Sequence, residues 1–277
     1  MEDRREQRRQ QRQAQIRKKQ QQAAGCFTFL TILLLLLGGF VIFRALDSAG
    51  QSAARPEPNP YDPSDFATRS GYVTCTAGPT LRGIDVSEHQ GKIDWEAVKD
   101  GGFDFAFVRI GYRGYTVGSI KTDDRALENL AGARAAGLDV GVYFYAQAVS
   151  PAEAAEEAAW CLDFLQDQDL DLPLVYDWEW VGPSARTGGM DRATLTECVI
   201  TFCDAIRDGG YDPMVYFNAH LSRDLLDLEA LTAYPWWFAQ YKDQLDFPYR
   251  VDVWQYTEKG TVPGIEGDVD IDLMFLY

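Results

Sequence analysis

Apolar and polar positions alternate in a regular way along the chain from about residue 80 onwards. Short runs rich in Val, Ile, Phe and Tyr are typical of buried strands, and longer runs with an apolar residue every three or four positions are typical of amphipathic helices. The pattern predicts eight strands, at 82–86, 105–111, 140–146, 173–178, 213–218, 236–241, 251–256 and 271–276. It predicts helices at 94–100, 123–136, 151–167 and 191–208, three of them followed directly by glycine.

The order of these elements predicts the fold class. Repeated strand–helix units imply an α/β fold with a parallel sheet, and eight strands favour a closed barrel over an open sheet. After residue 218 the strand spacing is too short for a full helix in every connection. The sequence therefore predicts an irregular TIM-like barrel of eight strands and about five helices.

The first 43 residues have a different pattern. Residues 1–22 carry eight Lys or Arg against three acidic residues, and the 21 residues from Ala23 to Phe43 carry no charge. That length spans a bilayer as a helix, and the basic flank stays in the cytoplasm. We expect a cytoplasmic tail at 1–22, a single transmembrane helix at 23–43 and an extracellular domain at the cell membrane. Two alternatives are a cleaved signal peptide and a basic tail that binds nucleic acid.

Residues 44–79 are rich in Ala, Ser, Pro and Gly, which predicts an extracellular stalk without a core, and 80–277 then form the barrel domain. Beyond Arg44 the chain holds 17 basic against 39 acidic residues, a net charge of −22. Such an acidic surface argues against nucleic acid as a partner and against tight docking on anionic lipid. The membrane contact is expected through the N-terminal helix alone.

Cysteine and histidine give no sign of a cofactor. Cys75, Cys161, Cys198 and Cys203 follow the apolar segment without metal-ligand spacing, and both free thiols and disulfides are compatible with them. The sequence contains two histidines, which is too few for the usual ligand set of a zinc hydrolase. We expect no metal and no cofactor.

The run from Leu172 to Trp180 carries the most informative chemistry. It reads as a buried strand whose far end holds Asp177 and Glu179, and side chains two apart on a strand point to the same side. Hydrolysis of a glycosidic bond needs a proton donor and an ionised carboxylate held close together. Taken alone, however, the pair is more typical of ordinary surface acids at a solvated strand end.

The residues at other strand ends support the interpretation of Asp177 and Glu179 as a catalytic pair. In an α/β barrel, functional residues gather at the carboxyl ends of the strands. Asp85 stands at the end of the first predicted strand and Asp270 beside the eighth, where Asp268 and Asp272 are alternatives. Aromatic rings that stack on sugars and polar side chains that bind them follow several strands; the candidates are Tyr143, Tyr145, Tyr216, Asn218, Trp237, Tyr241, Trp254 and Gln255.

Four motifs in this order resemble family 25 of the glycoside hydrolases, the lysozymes or N-acetylmuramidases of bacteria, phages and fungi. They are Gly83-Ile-Asp-Val-Ser-Glu-His-Gln-Gly91, Asp177-x-Glu179, Trp254-Gln-Tyr256 and Gly264-Ile-x-Gly-x-Val-Asp270. The resemblance covers residues 81–277. It implies an irregular eight-stranded barrel that binds peptidoglycan glycan strands and cleaves the β-1,4 bond between N-acetylmuramic acid and N-acetylglucosamine.

The resemblance also implies a role for each acid. Glu179 would be the general acid, and Asp177 its carboxylate partner, which orients the substrate acetamido group or stabilises developing charge. Asp85 and Asp270 would line the same pocket. Two alternatives remain: a non-catalytic module that binds cell-wall glycan with the same fold, and a hydrolase of a different polymer of acetamido sugars.

Overall fold

The computed structural model describes residues 55–166 and 168–277, which contain eleven strands. The strands are β1 (Phe66–Arg69), β2 (Tyr72–Cys75), β3 (Thr80–Val86), β4 (Phe105–Arg113), β5 (Ile120–Thr122), β6 (Asp139–Ala146), β7 (Leu174–Trp178), β8 (Pro213–Asn218), β9 (Trp236–Ala239), β10 (Val253–Gly260) and β11 (Val269–Phe275). Strands β1 and β2 form a separate hairpin. All eight predicted strands are present, and the three others lie outside the predicted ranges.

The described residues contain four α-helices: α1 (Trp95–Asp100), α2 (Ala126–Ala135), α3 (Pro151–Leu165) and α4 (Arg192–Asp208). Side-chain caps fix three of their starts. Asp94, Ser150 and Asp191 each accept a hydrogen bond from the backbone N–H three residues on. A π-helical turn at Leu221–Leu225 follows β8. Counted with the four α-helices, this turn confirms the prediction of about five helices.

The large sheet closes into a barrel. Its strand order is β3-β11-β10-β9-β8-β7-β6-β4, β4 pairs back onto β3, and β5 extends β4 as a hairpin. This confirms the predicted eight-stranded barrel. The expected parallel sheet is wrong at one strand, because β11 runs antiparallel to both β10 and β3. Residues 261–268 between β10 and β11 are too few for a crossover helix, so the chain turns back directly.

The barrel has an inner and an outer apolar core. Phe105, Phe107 and Trp237 fill its interior, and the Phe107 and Trp237 rings stack with centroids 4.7 Å apart. A glycine makes room for one of these rings, because a Cβ at Gly83 would lie 2.2 Å from the Phe105 ring. The outer core lies between the strands and the helices. Because these rings fill the interior, the barrel is a packed core and not a channel.

Residues 55–79 are folded against the barrel, so the predicted boundary of a stalk at 44–79 is wrong over this part. Phe66 in β1 is buried edge-on against Trp254, with ring centroids 5.1 Å apart. The Tyr61 ring stacks on Phe275 at 5.0 Å. Composition predicted an extended segment, yet its few large apolar residues bury against rings nearly 200 positions later. The folded domain therefore includes residues 55–79.

The tail at 1–22, the membrane helix at 23–43 and the first part of the stalk, 44–54, lie outside the described residues. In the described part of the chain, no helix has both the length and the apolar character needed to cross a bilayer. The four cysteines in that part are free thiols, and three of them are buried. Of the two alternatives for these cysteines, the structure therefore shows free thiols.

Candidate active site

A cavity of about 210 Å³ opens at the carboxyl ends of the parallel strands. It is lined by Asp85, Ser87, His89, Gln90, Arg109, Tyr143, Tyr145, Asp177, Glu179, Tyr216, Trp237, Tyr241, Gln255 and Asp270. The lining thus combines four carboxylates with five aromatic rings. The candidate acids, which lie as far apart in sequence as Asp85 and Asp270, share one cavity.

Strand register explains why these residues meet. Across four neighbouring parallel strands, Tyr145 pairs with Asp177, Asp177 with Tyr216, and Tyr216 with Trp237. These four residues stand at one level of the barrel mouth. On the other side, antiparallel β11 begins where the parallel strands end, so Asp270 pairs directly with Asp85. The reversed last strand therefore brings the start of β11 to the catalytic end.

Gln255 ties three pocket residues together. Its side-chain amide donates to Oδ2 of Asp85 at 2.7 Å, and its oxygen accepts from the hydroxyls of Tyr216 at 3.1 Å and Tyr241 at 3.2 Å. The side chain is almost fully buried. Buried networks in which each member has a partner hold side chains in one geometry. Gln255 therefore fixes Asp85 and the two tyrosines relative to one another.

A second buried network supports the backbone of Glu179. The Gln147 side-chain amide donates to the Glu179 carbonyl oxygen at 2.8 Å, and the Thr187 hydroxyl donates to the Gln147 oxygen at 3.0 Å. The Gln147 backbone N–H donates to Oε1 of Glu157 at 3.2 Å, and Arg113 pairs with the same oxygen at 2.7 Å. This chain of contacts joins Glu179 to the packed interface between β4 and α3.

Burial dominates the electrostatics of Asp177 and Glu179. Burial raises the pKa of both carboxyls above their ordinary values. The negative charge of Glu179 raises the pKa of Asp177 further, whereas the Arg109 guanidinium lowers it. Two neighbouring carboxyls that cannot both ionise easily share a proton as a pair. The pair can therefore hold one proton at a pH where free carboxylic acids have lost theirs.

Asp270 and Asp272 add further negative charge. Burial, followed by the charges of Glu258 and Glu179, raises the pKa of Asp270 to about 7. Asp272 is fully buried, and burial together with Asp270 raises its pKa as well. Its Oδ1 accepts from the Trp237 indole at 2.9 Å. Asp272 thus holds the ring that floors the cavity and does not itself line it.

The arrangement supports acid–base chemistry on a polar ligand with flat apolar faces. Oδ1 of Asp177 is buried and accepts no hydrogen bond from the residues that the structure describes. A buried acceptor of this kind is stabilised when a ligand N–H or O–H reaches it. Aromatic walls offer their faces to sugar rings. Among the described residues, no group of three or more His, Cys, Asp or Glu is arranged to hold a metal ion.

Comparison with known proteins places this cavity in a family. The sequence model of glycosyl hydrolases family 25 matches residues 84–265, well over half of the chain. The chain belongs to glycosyl hydrolase family 25. This confirms, at the level of the family, the prediction of a glycoside hydrolase of the lysozyme type.

Named relatives of this family 25 protein include lysozymes. The autolytic lysozyme of Clostridium acetobutylicum is 29% identical over 195 residues, which are 69% of this chain and 55% of the relative. Lysozyme M1 of Streptomyces globisporus is 26% identical over 225 residues, 70% of this chain and 69% of the relative. The modular autolysin LytC of Streptococcus pneumoniae, solved with a synthetic peptidoglycan ligand, superposes with a TM-score of 0.64 at 27% identity.

These matches cover a larger share of this chain than of the relatives. The match to LytC covers 75% of this chain and 51% of LytC. The family 25 protein thus spans about half the length of LytC and of the clostridial lysozyme.

Two predicted ligand-binding residues of the family 25 barrel lie elsewhere. Trp254 is fully buried on the outer side of β10, where its indole donates to the Gln240 carbonyl at 2.8 Å. Because side chains alternate along a strand, Gln255 faces the cavity and Trp254 faces away from it. The Asn218 side chain accepts from the backbone N–H groups of His220 and Leu221 and so caps the π-helical turn.

Sequence reasoning also missed residues that the structure places in or behind the cavity. Arg109 lines it and is held by Asp123 at 2.8 Å and Glu88 at 3.2 Å. It lies mid-strand in β4, where two-residue alternation could have pointed to the barrel mouth. Gln147 follows β6 and belongs to no motif. Its role depends on contacts with residues 10 to 40 positions away, which leave no local signal.

Proposed function

We propose that this family 25 barrel is a muramidase that cleaves the β-1,4 bond between N-acetylmuramic acid and N-acetylglucosamine in peptidoglycan. The observation that carries the proposal is the convergence of Asp177 and Glu179 with Asp85 and Asp270 in one aromatic-lined cavity at the barrel mouth. The lysozyme names of the relatives and the peptidoglycan ligand of LytC support this substrate class.

In this proposal Glu179 is the general acid. Its raised pKa keeps the proton available at a pH where an ordinary glutamic acid has lost it, and Glu179 lies at the half-buried edge of the cavity, where a leaving oxygen can reach it. Asp177, deeper in the cavity, is assigned the role of ionised partner, and Arg109 offsets part of the upward shift that burial and Glu179 give its pKa. Its free Oδ1 would accept the acetamido N–H of the substrate. Asp85 and Asp270 line the opposite wall, where they bind the substrate, and the charge of Asp270 influences the pKa of Asp177.

We also propose a location at the cell membrane, with a cytoplasmic N-terminus and the barrel outside. The support is in the sequence, where eight basic residues precede 21 uncharged ones. Membrane fractionation combined with external protease digestion tests this location. Barrel fragments released from intact cells by the protease support it, and protection of the barrel until the membrane is broken contradicts it.

Analysis of the products tests the proposed bond. The full-length protein is incubated with purified peptidoglycan, and the new reducing ends are identified by mass spectrometry after borohydride reduction. We expect reduced muramic acid ends. Reduced glucosamine ends would show cleavage of the other glycosidic bond. Glycan binding without any new reducing end would favour the non-catalytic wall-binding module.

Replacing Glu258 tests the electrostatic coupling. The charge of Glu258 raises the pKa of both Glu179 and Asp270, so Glu258→Gln lowers both. The alkaline limb of kcat/KM against pH, which follows loss of the essential proton, should move to lower pH by a few tenths of a unit, because the half-exposed charge is screened. Glu96→Gln, an exposed acid on α1, is the control. An equal shift in the control would contradict the coupling.

Gln147→Met tests the network behind Glu179. It removes the donor to the Glu179 carbonyl and leaves the Thr187 hydroxyl without its acceptor. We expect roughly a 10-fold loss of kcat at a temperature where the variant is fully folded, since a misplaced catalytic group is costly. Thr196→Val removes a buried hydroxyl that donates to Arg192 in α4, and serves as a control for lost stability alone. Equal kcat losses in both variants would contradict a positioning role for Gln147.

A further inference from the structure

A second, larger groove adjoins the catalytic cavity. Its volume is about 660 Å³, within the range of about 300–1,000 Å³ that is typical of ligand sites. Tyr241 lines both spaces, so the groove begins where the cavity ends. Its walls are the β1–β2 hairpin, the outer part of β10 and the segments 241–243 and 261–263.

One wall of this groove lies before the range that the family model matches. The hairpin, residues 66–75, precedes the matched range of 84–265. It is fixed in place by the Tyr72 hydroxyl, which donates to the Thr261 carbonyl at 3.0 Å, and by the burial of Val73. The hairpin therefore forms one side of the groove and the barrel forms the other.

The outer part of β10, where register shifts follow Gln255 and Thr257 and interrupt the simple alternation, carries charges toward both spaces. Thr257 and Lys259 line the groove, whereas Glu258 between them acts on Glu179 and Asp270 in the catalytic cavity. Lys242 lines the groove beside Tyr241. The catalytic cavity thus carries an excess of carboxylates, and the adjoining groove carries ammonium groups.

The two lysines set this groove apart from the rest of an acidic domain. Lys242 pairs with Asp246 at 2.6 Å, and Lys259 has a loose contact of 3.9 Å with Glu258, with about three quarters of its side chain exposed. Asp243 is the one carboxylate in the groove lining. Because residues 45–277 have a net charge of −22, two cations at a single groove favour a ligand with negative charge.

We propose that this groove binds the acidic stem peptide of the peptidoglycan strand whose glycan occupies the catalytic cavity. The inference rests on the proposed muramidase function. Stem peptides branch from the lactyl group of N-acetylmuramic acid and end in a free carboxylate. A muramic acid held in the cavity would direct its peptide past Tyr241, where the ammonium groups of Lys242 and Lys259 donate hydrogen bonds to the carboxylates. The groove thereby selects strands that still carry their peptides.

The test compares two soluble substrates with the same glycan. One is an uncross-linked peptidoglycan strand with intact stem peptides, and the other is the same strand after an amidase has removed them. The full-length protein and its Lys242→Gln/Lys259→Gln variant are assayed on both at low ionic strength. We expect the double variant to raise KM by roughly three- to ten-fold on the intact strand and to leave it unchanged on the stripped strand. Lys92→Gln/Lys99→Gln, with the same charge change outside the groove, should match the wild type on both.

Each other outcome overturns the inference in a recognisable way. An unchanged KM on the intact strand rules out a stem-peptide site at this groove. An equal rise on both substrates makes the groove a glycan subsite. An equal rise in KM for the Lys92→Gln/Lys99→Gln control would show that Lys242 and Lys259 act only through the long-range charge of the protein. If the wild-type protein cleaves neither substrate, the proposed muramidase function is wrong. The groove inference depends on that function and is then wrong as well.

Discussion

Glu179→Gln is expected to lower kcat on peptidoglycan by about 10³-fold, with little change in KM. Glutamine keeps the size of the side chain and its hydrogen bonds but holds no transferable proton, and general acid catalysis contributes about 10²- to 10⁴-fold. Gln147 binds the backbone carbonyl of residue 179, so the main chain stays in place. The measurement is the rate of new reducing ends at a saturating substrate concentration.

A stability measurement separates lost chemistry from a lost fold. The pKa of Glu179 is raised in the folded protein, so its contribution to stability is full below the unfolded pKa and is lost as pH rises through the folded pKa. The glutamine variant has no such loss, and its melting temperature at neutral pH should equal or exceed that of the wild type. Activity within about ten-fold of wild type would remove Glu179 from the acid role.

Deletion of residues 55–79 is expected to cost stability heavily, although these residues precede the family match. Phe66 and Val73 are buried, and complete burial of such side chains is worth about 1.5–3 kcal/mol each. Their removal also uncovers Trp254 and Phe275. We expect the fragment 80–277 to lose roughly 3–6 kcal/mol relative to 55–277, a large share of a typical stability of about 5–15 kcal/mol.

Thermal and urea unfolding of the two fragments measure this loss. For a domain of this size, the melting temperature should fall by about 10 °C or more. Within 55–277, Phe66→Ala should reproduce a large part of the effect, whereas Thr68→Ala, at an exposed position further along the same strand, should have almost none. Identical unfolding of 80–277 and 55–277 would show that the hairpin is a detachable appendage.

The sequence predicted the barrel well because the signals for it are local. The composition of runs such as Val140 to Tyr145 is enough to indicate a buried strand, and Ser150 followed by Pro151 indicates the start of α3. The antiparallel direction of β11 was missed. The apolar pattern of a strand is the same whether it runs parallel or antiparallel to its neighbour, so the pattern alone does not give the direction. Asp270 was nevertheless placed with the other acids, from its position beside the eighth predicted strand and from the resemblance to the family.

The wrong predictions concern residues whose positions depend on contacts between segments that are far apart in sequence. The segment 55–79 resembles a linker in composition, and its burial depends on Trp254 and Phe275. Trp254 was placed in the site with Gln255, although adjacent strand residues face opposite sides and only one of them can reach the cavity. Gln147 and Arg109 carry no motif. They became visible only when the fold placed them beside Glu179 and Asp177.

The most direct test of the proton-donor role uses a substrate that needs no proton. An activated aryl glycoside of the disaccharide releases a stable phenolate, so its cleavage does not depend on a general acid. The account predicts that Glu179→Gln cleaves this substrate at close to the wild-type rate, while Asp177→Asn remains impaired on both the aryl glycoside and peptidoglycan. If Glu179→Gln is as defective on the activated glycoside as on peptidoglycan, Glu179 is not the proton donor.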